Sequence, residues 1–211
     1  MLLSNLRFGA FLSYVPKKEE HKALVQALKQ DKVFSDSGIT ICERIAKEVK
    51  EKLVINPEFS EFFGDNVFLV PAPKSSLTKP GTLCVPKRLA EEFSKIRIGT
   101  ILDCLERITE VTKSSLSNPK DRPKPIDHYN SIIVKRVNQN PMKILLIDNI
   151  ITRGATILGC ASKLRESFPN ASIKAFVVLQ AISNSKNFKS IEDPYTGDII
   201  LLEDGNCTTQ R

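Results

Sequence analysis

The chain has little of what most often gives a function away. Its 211 residues include two histidines, His21 and His128, and five cysteines, at 42, 84, 104, 160 and 207. The cysteines are odd in number, far apart and never in a CxxC pair. That spacing speaks against a structural zinc site or a disulfide framework and predicts small buried hydrophobes in a reducing compartment. No apolar run is long enough to span a bilayer, and the opening MLLSNLRFGAFLSYV is broken by Ser4, Asn5 and Arg7. Neither a membrane helix nor a clean signal peptide is expected, and the protein reads as soluble and cytoplasmic. There is no internal repeat, no GK[ST] of a Walker loop, no GxGxxG of a dinucleotide fold and no aromatic RNA-reading motif.

What is present begins with 41% hydrophobic side chains, enough for one well-buried domain or one domain with a small appendage. The net charge of +7 is uneven along the chain. Residues 1–65 carry ten basic and ten acidic groups, residues 66–143 fourteen and seven, and residues 144–211 seven and seven. The whole excess lies in the middle third. Such a surplus is either a solvated face or the footprint of an anionic ligand, a polyphosphate or a nucleic acid.

Periodicity predicts three parts. Residues 37–53, SGITICERIAKEVKEKL, put Cys42, Ile45, Ala46, Val49 and Leu53 on one helical face, and HKALVQALK has a shorter version of that pattern, so residues 1–65 read as an α-rich N-terminal part. NVFLVPAP, from Asn66, predicts a strand stopped by Pro71 and Pro73. CVPKRLAEEFSKI, from Cys84, predicts a helix entered through Pro86 with Leu89, Ala90, Phe93 and Ile96 facing inward. Strand candidates follow at 101–105, 132–137 and 143–147, then a helix with Ile157, Leu158, Ala161, Leu164 and Phe168 on one face, then the strand SIKAFVVLQAIS. This alternation over residues 66–185 predicts an α/β fold, a mainly parallel sheet flanked by helices, with ligands bound beyond the C-terminal strand ends. Residues 109–130 are too long and too rich in Pro, Ser and Lys for an ordinary connection; they are a disordered linker or a functional flap. Residues 186–211 form a weakly patterned tail.

The most informative stretch is ILLIDNIITRGATI, residues 144–157. An aliphatic strand alone says nothing about function. At its end, however, Asp148 offers a carboxylate to ligand hydroxyls, and residues 152–156 follow at the mouth of a helix. There, unpaired N–H groups and the positive end of the helix dipole attract phosphate. Gly154 permits close backbone approach, and Thr152 and Thr156 supply hydroxyl donors. Taken singly, Asp148 or Thr152 could be a helix cap and Gly154 mere turn chemistry. Together, one acid and one phosphate cradle suggest a phosphorylated sugar.

On these residues the chain resembles the type I phosphoribosyltransferases, whose phosphoribosyl-pyrophosphate (PRPP) motif is a hydrophobic strand, two acids, two spacers and Thr-Thr-Gly-Ala-Thr. VPAPKS, at 70–75, is similar to their pyrophosphate loop, and 109–130 occupies the place of their flexible catalytic hood. VPAP, the ALKQDK helix and a loop with Arg107, Thr112, Leu116 and Arg122 look most like the ComF/GntX-like branch, without its zinc module. The resemblance implies a Mg²⁺-dependent displacement of pyrophosphate from the ribose by an unidentified nitrogenous acceptor. It also implies a substrate-binding set of Ala72, Pro73, Ser75, Asn149, Ile150, Ile151, Thr152, Arg153, Gly154, Ala155 and Thr156. Asp148, Lys74, Lys113 and Arg122 would serve catalysis, the last two arriving as the hood closes. No protein-only metal site is implied. Two positions depart from the motif: the second acid is Asn149 and the second hydroxyl is Arg153. The rival readings are a sensor of this fold that binds PRPP or a nucleotide 5′-phosphate with little turnover, and a nucleic-acid-associated factor of the DNA-uptake kind. The oligomeric state, a homodimer included, is left open.

Overall fold

The computed structural model describes residues 1–77, 79–112 and 121–211. The chain folds around a seven-stranded sheet of order β3-β2-β6-β7-β1-β8-β9. Its first strand, β1 (Asn5–Tyr14), runs parallel to β7 (Ser172–Ala181), with Phe8 beside Ala175 and Tyr14 beside Ala181. Parallel pairing continues through β6 (Lys143–Ile151) and β2 (Phe68–Pro71) to the short edge strand β3 (Thr100–Ile101). On the far side, β8 (Tyr195–Leu201) and β9 (Cys207–Gln210) pair antiparallel. The mainly parallel α/β sheet flanked by helices is therefore as the strand-helix alternation indicated.

One face carries α1 (Glu19–Lys29), α2 (Ile41–Ile55), the short α3 (Pro57–Ser60) and α4 (Val85–Lys95). The expected inward residues are in place: Cys42, Ile45, Ala46 and Val49 of α2 and Leu89, Ala90 and Phe93 of α4 join Leu145, Ile147 and Phe176 in one core. Thr40 caps α2 by accepting from the Glu43 N–H, and Pro86 sits in the first turn of α4. The other face carries α6 (Ala155–Ser167), whose Ile157, Leu158, Cys160, Ala161 and Leu164 pack on Leu146, Ala175 and Val177. Among the described residues no helix is long and apolar enough to cross a membrane.

Three expectations are corrected. Residues 1–65 are not only helical, because β1 lies inside the sheet between β7 and β8. Residues 186–211 are not a loose tail: they form β8 and β9, and Tyr195, Ile199 and Cys207 are core residues. The strand expected at 101–105 is split. After Ile101 the chain leaves the main sheet, and β4 (Leu105–Arg107) pairs antiparallel with β5 (Ile132–Val134) in a separate ribbon.

Candidate active site

Two of the sheet's parallel strands set the site. From β2 the chain turns through α4 to β3 on one side; from β6 it turns through α6 to β7 on the other. α4 and α6 lie on opposite faces, so the loops after β2 and β6 diverge and leave a crevice at the topological switch point. Pro71 pairs with Ile147, which puts residues 72–75 beside Asp148 and the loop after it. The two stretches singled out from sequence are neighbours for this reason.

The strand β6 runs to Ile151, so Asp148, Asn149, Ile150 and Ile151 belong to the sheet and the turn is only Thr152, Arg153 and Gly154. Both capping alternatives fall away, because the N-cap of α6 is Gly154, with no side-chain cap bond. The first N–H groups of α6 therefore face an open mouth. Gly154 is required twice over: its φ is +92°, and a Cβ there would lie 2.7 Å from Cγ2 of Ile199. A small cavity of about 40 Å³ is lined by Asp148, residues 150–156 and Ile157. Thr152 is exposed and Thr156 half-buried at its rim.

Asp148 accepts from the Asn149 N–H at 2.8 Å. Burial pushes its carboxyl up to about 7, opposed by that N–H and by the Arg107 guanidinium. The Cys84 thiol is also raised by burial, and it feels Asp148 in the same sense and Lys74 in the other, which sets both charges around the entrance of α4. In the 72–75 loop, Ala72 is 1% exposed and its N–H donates to Ile147 O at 2.8 Å. Ala72 thus anchors the loop to β6, and its N–H is already engaged there. Pro73 has no N–H, which leaves the backbone nitrogens of Lys74 and Ser75.

Arg107 was legible only as one member of a loop, and it is central. It is 4% exposed, and its guanidinium donates to the Lys74 carbonyl and to Ser131 Oγ and approaches His128 Nδ1 at 3.5 Å. Burial holds its pKa below the usual value, and Asp148 works against that fall. His128 lies on α5 (Pro125–Asn130), a helix inside the stretch expected to be irregular; Pro125 in its first turn and the Asp127 carboxylate, which accepts from the Lys124 N–H at 2.7 Å, were the unread start signals. The other ring nitrogen of His128 is 3.4 Å from Thr156 Oγ1.

The turn between β8 and β9 covers the turn that leads from β6 into α6. Arg153 donates to Asn206 Oδ1 at 3.3 Å, and the Cys207 thiol donates to the Arg153 carbonyl at 3.1 Å. Lys124 reaches the same turn, donating to Asp204 O at 2.7 Å. Arg153, expected at the phosphate, is thus engaged with the hairpin. Arg122 does not join the Asp148 cavity; it lines a neighbouring open cleft with Thr109, Thr112, Lys124 and Asn130. Lys113 lies outside the described residues. Among the described residues, no group of three or more His, Cys, Asp or Glu could hold a metal.

No family model matches the chain, and no curated protein matches it. Among solved structures it is similar to a hypoxanthine phosphoribosyltransferase from Staphylococcus aureus, at 14% identity and a TM-score of 0.37, over 80% of this chain and 77% of that one. An overlap that loose supports no transfer of activity or substrate.

Proposed function

We propose that the chain is a phosphoribosyltransferase that binds PRPP and transfers its phosphoribosyl group to a nitrogenous acceptor. The observation that carries the reading is the switch-point crevice, which joins a single carboxylate, Asp148, to an uncapped helix mouth with two threonines and to a second anion loop at 72–75. The 5′-phosphate takes the N–H groups of the α6 entrance and the hydroxyls of Thr152 and Thr156. Asp148 and Asn149 accept and donate to the ribose hydroxyls. Lys74 and the adjoining backbone nitrogens neutralise leaving pyrophosphate. Bond cleavage needs no protein nucleophile, because the ribosyl centre becomes electron-poor as pyrophosphate departs and the acceptor nitrogen closes on it. Asp148 is the side chain of the crevice that would face a Mg²⁺ brought in with the polyphosphate, and the ion would supply charge neutralisation to the leaving group.

A second reading, a PRPP or nucleotide sensor with little turnover, is favoured by Asn149, which leaves one carboxylate where two would hold the ribose more strongly. Calorimetric titration with PRPP, with and without Mg²⁺, followed by pyrophosphate release across a panel of bases, separates the two. Binding with release supports the enzyme, binding without release supports the sensor, and the absence of binding ends both.

A further inference from the structure

We propose that His128 is a positioning residue that, held by Arg107, fixes the Thr156 hydroxyl with its hydrogen directed at the ligand's phosphate. The proposal rests on the phosphate reading of the α6 entrance. Its first support is proton bookkeeping along one line of contacts. Arg107 can only donate, so its approach to His128 Nδ1, at 3.5 Å from Nη2, favours that nitrogen as the bare acceptor. A neutral ring then carries its hydrogen on Nε2, which faces Thr156 Oγ1 at 3.4 Å. The threonine oxygen accepts, and its own hydrogen is left for an acceptor in the cavity that Thr156 lines. The opposite tautomer would set two donors against each other at Arg107.

The second support is burial. His128 is 3% exposed, and burial together with the Arg107 charge pushes its pKa down to about 4, so the ring is neutral at physiological pH. The third is the close seat of α5 on α6. A Cβ at Gly159 would lie 2.6 Å from Pro125 O and 2.7 Å from His128 Cβ, so only glycine lets the imidazole come this near the helix mouth. Ser131, which donates to His128 O at 2.9 Å and accepts from Arg107, ties the end of α5 to the same guanidinium. Arg107 also holds the Lys74 carbonyl, so one buried side chain braces both anion loops.

The test is a double-mutant cycle read by ribose 5-phosphate titration, with ¹⁵N spectroscopy of the wild-type imidazoles. His128→Phe should weaken ribose 5-phosphate by about five- to tenfold, the effect of one hydrogen bond. His128→Gln, which returns a donor near the Nε2 position, should recover most of that loss. In a Thr156→Val background His128→Phe should cost nothing further, and the wild-type ring should be the neutral Nε2-protonated tautomer. An Nδ1-protonated ring, or equal losses in both backgrounds, overturns the relay while the phosphate site stands. A wild-type protein that takes no ribose 5-phosphate overturns the phosphate reading and the relay with it.

Discussion

At the scale of single residues, Asn149 and Gly154 carry the sharpest consequences. On the phosphoribosyl reading, Asn149→Asp places a second carboxylate next to Asp148, and a charged acceptor for a ribose hydroxyl is worth on the order of 1.5–3 kcal/mol when well formed. The variant should bind PRPP more tightly or release pyrophosphate faster in a coupled assay. A clear loss of affinity in the folded variant would show that the amide is required. Gly154→Ala meets two penalties, a φ of +92° and the side chain of Ile199. It should lower stability by roughly 1–3 kcal/mol in urea unfolding. Ile199→Ala empties part of the core and is costly alone, so the sign of the clash is non-additivity: it should cost less in the Gly154→Ala background than in the wild type. Asp148, Gly154 and Thr156 were legible because strand, turn and helix mouth are contiguous in the chain. His128 was not, because nothing local distinguishes it from a satisfied core histidine; its meaning comes from Arg107 and Thr156, 21 and 28 residues away.

At the scale of elements, the junction of α5 with α6 holds one wall of the site. Gly159→Ala places a methyl against the Pro125 carbonyl, a backbone atom that can yield only by moving the helix. Overpacking of this kind costs typically about 1–3 kcal/mol. The expected signature is a lower urea midpoint with weaker ribose 5-phosphate binding, and an unchanged affinity would show that α5 does not contribute to the site. The β8–β9 hairpin is the element that sequence patterning undersold. Its alternation is visible in hindsight, with Tyr195, Gly197 and Ile199 buried and Asp198 between them more exposed, and Asp204-Gly205 is a hairpin signal. Gly205 takes a φ of +77° there. Neither cue says that the hairpin will reach Arg153 and Lys124.

At the scale of the whole molecule, the half-buried Asp148 and the buried His128 give stability opposite pH dependences. Burial raises the Asp148 carboxyl from 3.8 to about 7, so the folded chain keeps a proton that the unfolded chain gives up. That group's cost is absent below about pH 4 and complete above pH 7. Burial lowers His128 from 6.5 to about 4, so the unfolded chain binds the proton first and stability is lost as pH falls through that window. Between pH 4 and 6.5 the two slopes oppose each other. Asp148→Asn should therefore raise the melting temperature at pH 8, leave it little changed at pH 4, and steepen the loss on acidification between them, while PRPP affinity falls. A variant with the same melting temperature as the wild type at pH 8 would show that the carboxylate is not desolvated in the fold.

The sequence by itself determined the α/β class, the faces of α2, α4 and α6, and the strand-turn-helix that carries Asp148 into an uncapped helix mouth, because each depends on residues within a few turns of one another. The burial of β1 between β7 and β8, the return of the C-terminal hairpin over the turn that enters α6 and the joining of Lys74, Arg107, His128 and Thr156 were decided only by tertiary structure. The physical reason is range. Phe8 finds Ala175 and Cys207 finds Arg153 through sheet pairing and core burial, which select among distant partners that local periodicity cannot rank.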